Sequence, residues 1–156
     1  MAEAIALDRI DRAILRRLQA DGRITNQKLA EAVALSPSAC LARTRRLEAA
    51  GVIIGYHAKL RAARIGASLT VFAEVTLSTH ELSEVRRVER HLAELPEACE
   101  IAQVSGPYDY LARFVVPSME GWTQLADTLT DGELCISKIT TVVQMKSLKP
   151  FTAIPV

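Results

Sequence analysis

The chain has 156 residues, 49% hydrophobic and 24% charged, which suits one large folded domain or two small ones and excludes a disordered chain. No stretch approaches the ~18 consecutive apolar residues of a membrane span, and aromatics are only 4%, so aliphatic side chains must supply most of the core. The net charge of +1 hides an asymmetry: residues 1–64 hold 12 Lys/Arg against 6 Asp/Glu, and residues 65–156 hold 7 against 12. A basic half joined to an acidic half points to a module that binds a polyanion linked to a module with another task.

Leu7, Ile10, Ile14 and Leu18 form an apolar stripe at helical period, with Asp11, Arg12, Arg16 and Arg17 on the remaining faces and Asp21-Gly22 as a stop. Thr25 is a candidate N-cap for a second helix that places Leu29 and Val33 inward and ends near Leu35, with Ile24 packing back as a staple. Ser36-Pro37 then starts a third helix, serine at the cap and proline at the first turn, which runs to Gly51. On it Cys40, Thr44 and Leu47 share one face; Ser38, Ala42, Arg45 and Ala49 share the opposite one, flanked by Arg46. Small residues let a helix sit deep in a major groove, and arginine forks reach phosphates or guanine edges. The three-helix pattern, the net +6 and this face together predict a helix-turn-helix that binds double-stranded DNA. An arginine-rich helix face can also be no more than a solvated surface. Residues 52–60 (VIIGYHAKL) read as short β-structure, the wing of a winged helix, with His57 as a surface residue.

Residues 61–68 read as a linker. Leu69, Val71, Ala73, Val75 and Leu77 alternate with Thr70, Phe72, Glu74 and Thr76 as a strand. Leu82, Val85, Val88, Leu92 and Leu95 step as a helix ended by Pro96, and residues 98–104 and 108–116 are strands joined through Ser105-Gly106-Pro107. Ser118 caps a helix with Met119, Trp122, Leu125, Ala126 and Leu129 inward. Residues 136–148 form a last strand with Ile139, Thr141, Val143 and Met145 on one face. The order β-α-β-β-α-β predicts a ferredoxin-like antiparallel sheet with both helices on one side. Phe72, Ala102, Val104 and Val142 are apolar residues for the uncovered side, so the pattern predicts oligomerisation.

Little suggests catalysis: no phosphate loop, zinc-protease signature or nucleophile elbow is present, and nothing at recognisable spacing pairs with Asp109 and Tyr110. Cys40, Cys99 and Cys135 are odd in number and far apart, which gives no disulfide framework and no metal site; Cys99 and Cys135 read as buried strand residues. No cofactor is expected. The N-terminus reaches Asp8, Arg9, Asp11 and Arg12 without an apolar run, so a cytoplasmic protein is expected.

The segments LDRID (7–11), LQADGR (18–23), LSPS (35–38), RRLE (45–48) and GVIIGY (51–56), followed by VSGPYDYL (104–111) and TVV (141–143), resemble the Lrp/AsnC family of bacterial and archaeal transcription regulators. The resemblance runs through the whole chain in order. It implies an α+β architecture: an N-terminal winged helix-turn-helix (residues 1–60), a linker (61–68) and a C-terminal ferredoxin-like ligand-sensing and oligomerisation domain (69–156). It further implies dimers that often assemble into octamers, with amino acids as effectors between sensing domains. By position, Ser105, Gly106, Pro107, Tyr108, Asp109 and Tyr110 would form much of the effector site, a glycine-containing turn offering backbone N–H groups to a carboxylate and Asp109 accepting an ammonium. Thr140, Thr141 and Val142 would face it from the last strand. The same turn can equally be a plain hairpin capped by Asp109. On the third helix, Ser36 would orient the helix, Ser38, Ala42 and Arg45 would face bases, and Arg43 and Arg46 phosphates. Two departures from the family pattern stand out: Ile139-Thr140-Thr141 keeps only the second threonine of a Thr-x-Thr, and residues 130–136 lack the usual Leu-Pro-Gly-Val. Two other readings remain, an architectural DNA-compacting protein without effector and an amino-acid enzyme built on the ferredoxin-like half.

Overall fold

The computed structural model describes residues 5–156, in two compact units: one of residues up to Lys59 together with Lys149–Val156, the other Leu60–Leu148. In the first, α1 (Arg9–Ala20), α2 (Asn26–Ala32) and α3 (Pro37–Ala49) surround a core of Ile14, Leu15, Leu29, Ala30, Cys40 and Leu47. Asp8 begins α1 with a reciprocal capping box: its carboxylate accepts from the Asp11 N–H at 2.8 Å, while the Asp11 carboxylate accepts from the Asp8 N–H at 3.2 Å. Thr25 and Ser36 cap α2 and α3 as the sequence predicts. The turn between them is tight because α2 ends in a left-handed residue. Leu35 donates to the Ala30 carbonyl and Ala34 to that of Glu31, a Schellman closure that puts Ala34 at φ 56°.

Two expectations change in this unit. Asp11, read as an outer-face residue, is 1% exposed. Residues 52–60 form no strand: the Val52 and Ile53 N–H groups both close on the Leu47 carbonyl, and no regular element follows up to Lys59. Their β-branched run favours a strand, but no antiparallel partner lies beside it among the described residues, and a strand exists only by pairing. Residues 149–156 pack with the helices. Gln19 clasps Ile154 through both its carbonyl (2.7 Å) and its N–H (3.1 Å), and Arg16 donates to the Val156 carbonyl, whose side chain joins the core.

In the second unit β1 (Leu69–Leu77), β2 (Ala98–Gln103), β3 (Tyr110–Val116) and β4 (Ile136–Val143) form an antiparallel sheet ordered β2-β3-β1-β4, covered on one side by α4 (Leu82–Glu94) and α5 (Met119–Leu129). Period-two alternation sends Val71, Ala73, Val75 and Leu77 of β1, and Tyr110, Ala112, Phe114 and Val116 of β3, under the helices against Val88, Leu92, Trp122 and Leu129. Phe114 and Trp122 pack with ring centroids 5.0 Å apart. Each buried Val, Leu or Phe of this core contributes about 1.5–3 kcal/mol on burial. The last strand stops at Val143, short of the predicted Leu148: one further bond, from the Gln144 N–H to the Thr70 carbonyl at 3.0 Å, ends its pairing with β1, and Met145 is 91% exposed. Met119 opens α5 half-exposed rather than inward, and Cys99 is exposed at a bulge in β2, whereas Cys135 is half-buried.

Candidate functional site

The outer ridge of α3 is as its periodicity predicts. Ser36, Ser38, Ala42 and Arg45 are exposed while Cys40, Thr44 and Leu47 are buried. The Ser36 hydroxyl accepts the Ala39 N–H at 3.3 Å and lies 3.2 Å from the Ser38 hydroxyl. Asn26, at the start of α2, donates to the Pro37 carbonyl at 2.8 Å and so ties the two helix N-termini together. Arg45 takes part in no ion pair among the described residues.

Arg43 and Arg46 stand differently. Arg43 Nη1 donates to Asp8 Oδ2 at 2.6 Å and to Asp11 Oδ1 at 2.9 Å, and Arg46 Nη2 donates to Asp11 Oδ2 at 2.5 Å. Asp11 thus accepts from both arginines and from a backbone N–H, a nearly complete set for a buried carboxylate. Burial pushes its pKa up, but the hydrogen bonds from Arg46, the Asp8 N–H and Arg43 more than offset this and hold it below the ordinary value. The Asp11 N–H and then Arg43 bring Asp8 down to about 2. Both carboxylates are therefore charged at neutral pH. Nearby, Tyr56 donates to Glu48 at 2.9 Å, and desolvation together with that bond raises its pKa to about 12.

In the second unit the expected effector residues divide. Ser105, Gly106 and Pro107 are exposed at the tip between β2 and β3, with Tyr108 half-buried; Gly106 takes φ 141°, open only to glycine without strain. Asp109 is already engaged: one oxygen accepts the Leu77 N–H at 2.7 Å and the other lies 2.7 Å from His80 Nε2. The Leu77 N–H and then His80 lower its pKa. Tyr110 is not part of the tip but of the core, 3% exposed, with its hydroxyl donating to Glu89 at 2.9 Å. Desolvation and the Glu89 carboxylate raise its pKa to about 12.

Thr140, Thr141 and Val142 cannot share one direction, because consecutive strand residues alternate. Thr141 pairs with Ala73 on the helix-covered side and accepts the Trp122 indole N–H at 3.0 Å. Thr140 and Val142 pair with Glu74 and Phe72 on the opposite side. That open side also carries Ala102, Leu111 and Arg113, and Arg113 Nε is buried there without a hydrogen-bond partner.

Comparison with known proteins identifies what these two units are. The winged helix-turn-helix DNA-binding family matches residues 7–54, and the Lrp/AsnC ligand binding domain matches residues 70–154. The chain belongs to the Lrp/AsnC family. It is 45% identical over 119 residues to the leucine-responsive regulatory protein of Escherichia coli K12, an alignment covering 76% of this chain and 73% of that one; the Salmonella typhimurium protein matches equally. An AsnC family regulator from Agrobacterium tumefaciens superposes with a TM-score of 0.89 at 31% identity, covering 96% of this chain and 97% of that one. A transcriptional regulator from Neisseria meningitidis, solved as a complex with L-Met, does so with a TM-score of 0.91 at 29% identity and the same coverage. This Lrp/AsnC chain is therefore a transcriptional regulator with a winged helix-turn-helix DNA-binding domain and a C-terminal ligand-binding domain.

Sequence reasoning missed the residues that engage these candidate side chains. Asp8 and Asp11, three apart at a helix start, carried a capping-box signal in acidic form. His80 carried none; its pairing with Asp109, 29 residues on, exists only in the fold. No group of three or more His, Cys, Asp or Glu side chains among the described residues is placed to hold a metal.

Proposed function

We propose that this regulator reads specific duplex DNA with the outer ridge of α3 and that its DNA binding or assembly responds to an amino acid. The single supporting observation is Arg45, exposed and in no ion pair among the described residues, between small residues on the recognition helix. In this reading Ser36 orients α3, Ser38, Ala42 and Arg45 approach base edges, and the surrounding basic surface takes phosphates. The effector reading rests on the ligand-binding domain, on the L-Met held by the Neisseria relative, and on the exposed tip at Ser105, Gly106, Pro107 and Tyr108. Thr140 and Val142 lie on the open sheet side with Phe72 and Ala102, a surface suited to a second copy of the chain, so the working particle is a homo-oligomer in the cytoplasm acting without catalysis.

Arg45→Ala tests the DNA half. A duplex enriched from a random pool by the parent protein should bind the variant more weakly, by about fivefold or more, at ~150 mM salt, since a bidentate base contact is worth about 1–3 kcal/mol. Equal affinity with an unchanged melting curve would remove Arg45 from the reading surface. Light scattering at micromolar concentration tests the oligomer, and a monomer would contradict it.

A further inference from the structure

We infer that Asp11 is a specificity-determining positioning residue: with Asp8 it holds Arg43 and Arg46 back from nucleic acid, leaving Arg45 as the recognition-helix arginine free to read DNA. The inference rests on the DNA reading above and extends it.

The geometry is uneven in a telling way. Three arginines lie within four residues of α3, yet two are bound by acids 32 to 35 residues earlier and the third is bound by none among the described residues. Their bonds, at 2.5–2.9 Å, lie in the range of strong charge-assisted pairs, and the shared acceptor is 1% exposed. An exposed ion pair exchanges readily with a phosphate, because water and salt screen it. One anchored on a buried carboxylate does not, since pulling the arginines away would strand an uncompensated buried charge. Two acids and two arginines sum to zero, so this part of α3 offers DNA far less positive potential than its sequence suggests.

The consequence concerns discrimination more than affinity. Arginines on phosphates strengthen binding to every sequence alike, whereas an arginine on a base edge separates one sequence from another. Asp11 therefore suppresses the sequence-independent part. It also fixes the bearing of α3 on α1, because Arg43 and Arg46 leave the helix one turn apart and converge on one carboxylate.

The test uses the full chain, the duplex it enriches from a random pool, and a scrambled duplex of the same length, with affinity measured by fluorescence anisotropy from about 50 to 300 mM KCl. Asp11→Asn keeps the shape and removes the charge. Its plot of log affinity against log salt should steepen by about 1–2 on both duplexes, because each new phosphate contact adds about 0.9. Scrambled DNA should bind about three- to tenfold tighter near 100 mM, and the ratio of enriched to scrambled affinity should fall by a similar factor. An unchanged slope, with both duplexes weakened together, would overturn the inference and leave Asp11 a fold residue only. Should Asp11→Asn not fold, Asp8→Asn decides, since asparagine caps a helix as well as aspartate. A slope steeper by about 0.5–1 supports the inference and an unchanged one overturns it. Arg45→Ala run alongside keeps the two ideas apart: if it leaves the enriched duplex unaffected, the reading of α3 fails, whatever Asp11 does. A parent that enriches no duplex removes both.

Discussion

Ala34→Gly should stabilise the helical unit. Ala34 closes α2 at φ 56°, where a Cβ costs about 1–2 kcal/mol relative to ordinary backbone. Glycine removes that strain but gains freedom in the unfolded chain, which takes back about 0.4–1 kcal/mol. Ala34 is exposed, so losing its methyl sacrifices little packing. The expected net gain is about 0.5–1 kcal/mol, or roughly 3–6 °C in the melting of a unit this size. Urea and thermal unfolding of the full chain, followed by far-ultraviolet circular dichroism, would measure it. The Leu35–Ala30 and Ala34–Glu31 bonds are backbone bonds and survive the change, and α3 presents the same ridge, so affinity for the enriched duplex should not move. A neutral or destabilising result would refute the claim that this turn carries left-handed strain.

Other substitutions probe the remaining anchors. Thr141→Val removes the acceptor of the Trp122 indole, 2% exposed, and should destabilise the sensing unit by about 1–2 kcal/mol; Trp122 is the only tryptophan, so its fluorescence reports the loss. Unchanged stability would mean that Thr141 does not hold Trp122. Gln19→Ala severs both bonds to Ile154, so the Ile154 amide should exchange with deuterium several-fold faster and the unit lose about 1 kcal/mol. Equal exchange would show that the tail is held elsewhere. Asp109 has a carboxyl pKa below its unfolded value, so it adds stability above about pH 4 that fades as pH falls through the folded pKa. The stability difference between the parent and Asp109→Asn should therefore hold from about pH 7 to pH 5 and shrink as pH falls below about 4; a constant difference would contradict the pairing with Leu77 and His80.

The elements were legible wherever periodicity recorded burial. The stripe Ile10, Ile14, Leu18 and the alternation of β1 each state one buried face, and Ser36-Pro37 marks a helix start whatever surrounds it. What stayed hidden depends on partners distant in sequence. Asp11 looks like a solvated charge until Arg43 and Arg46 arrive from another helix to neutralise it. Residues 52–60 have the composition of a strand, but pairing is not a property of one segment. Resemblance to a family groups Thr140, Thr141 and Val142 as one surface; the pleat divides them, and the alternation of Ile139, Thr141 and Val143 already contained that division. Residues 149–156 have no periodicity to report their seat on α1. Asp109 was named from sequence as a site residue, but His80, which occupies one of its oxygens, could only be found in space.

The most direct test of a DNA-binding regulator governed by an amino acid is the binding isotherm of the full chain for its enriched duplex at fixed salt, alone and with each of the twenty amino acids. The account predicts that at least one amino acid shifts the affinity by about fivefold or more, the usual scale of coupling between two sites on one protein. Tight binding to the duplex with the same affinity across the whole panel would contradict it.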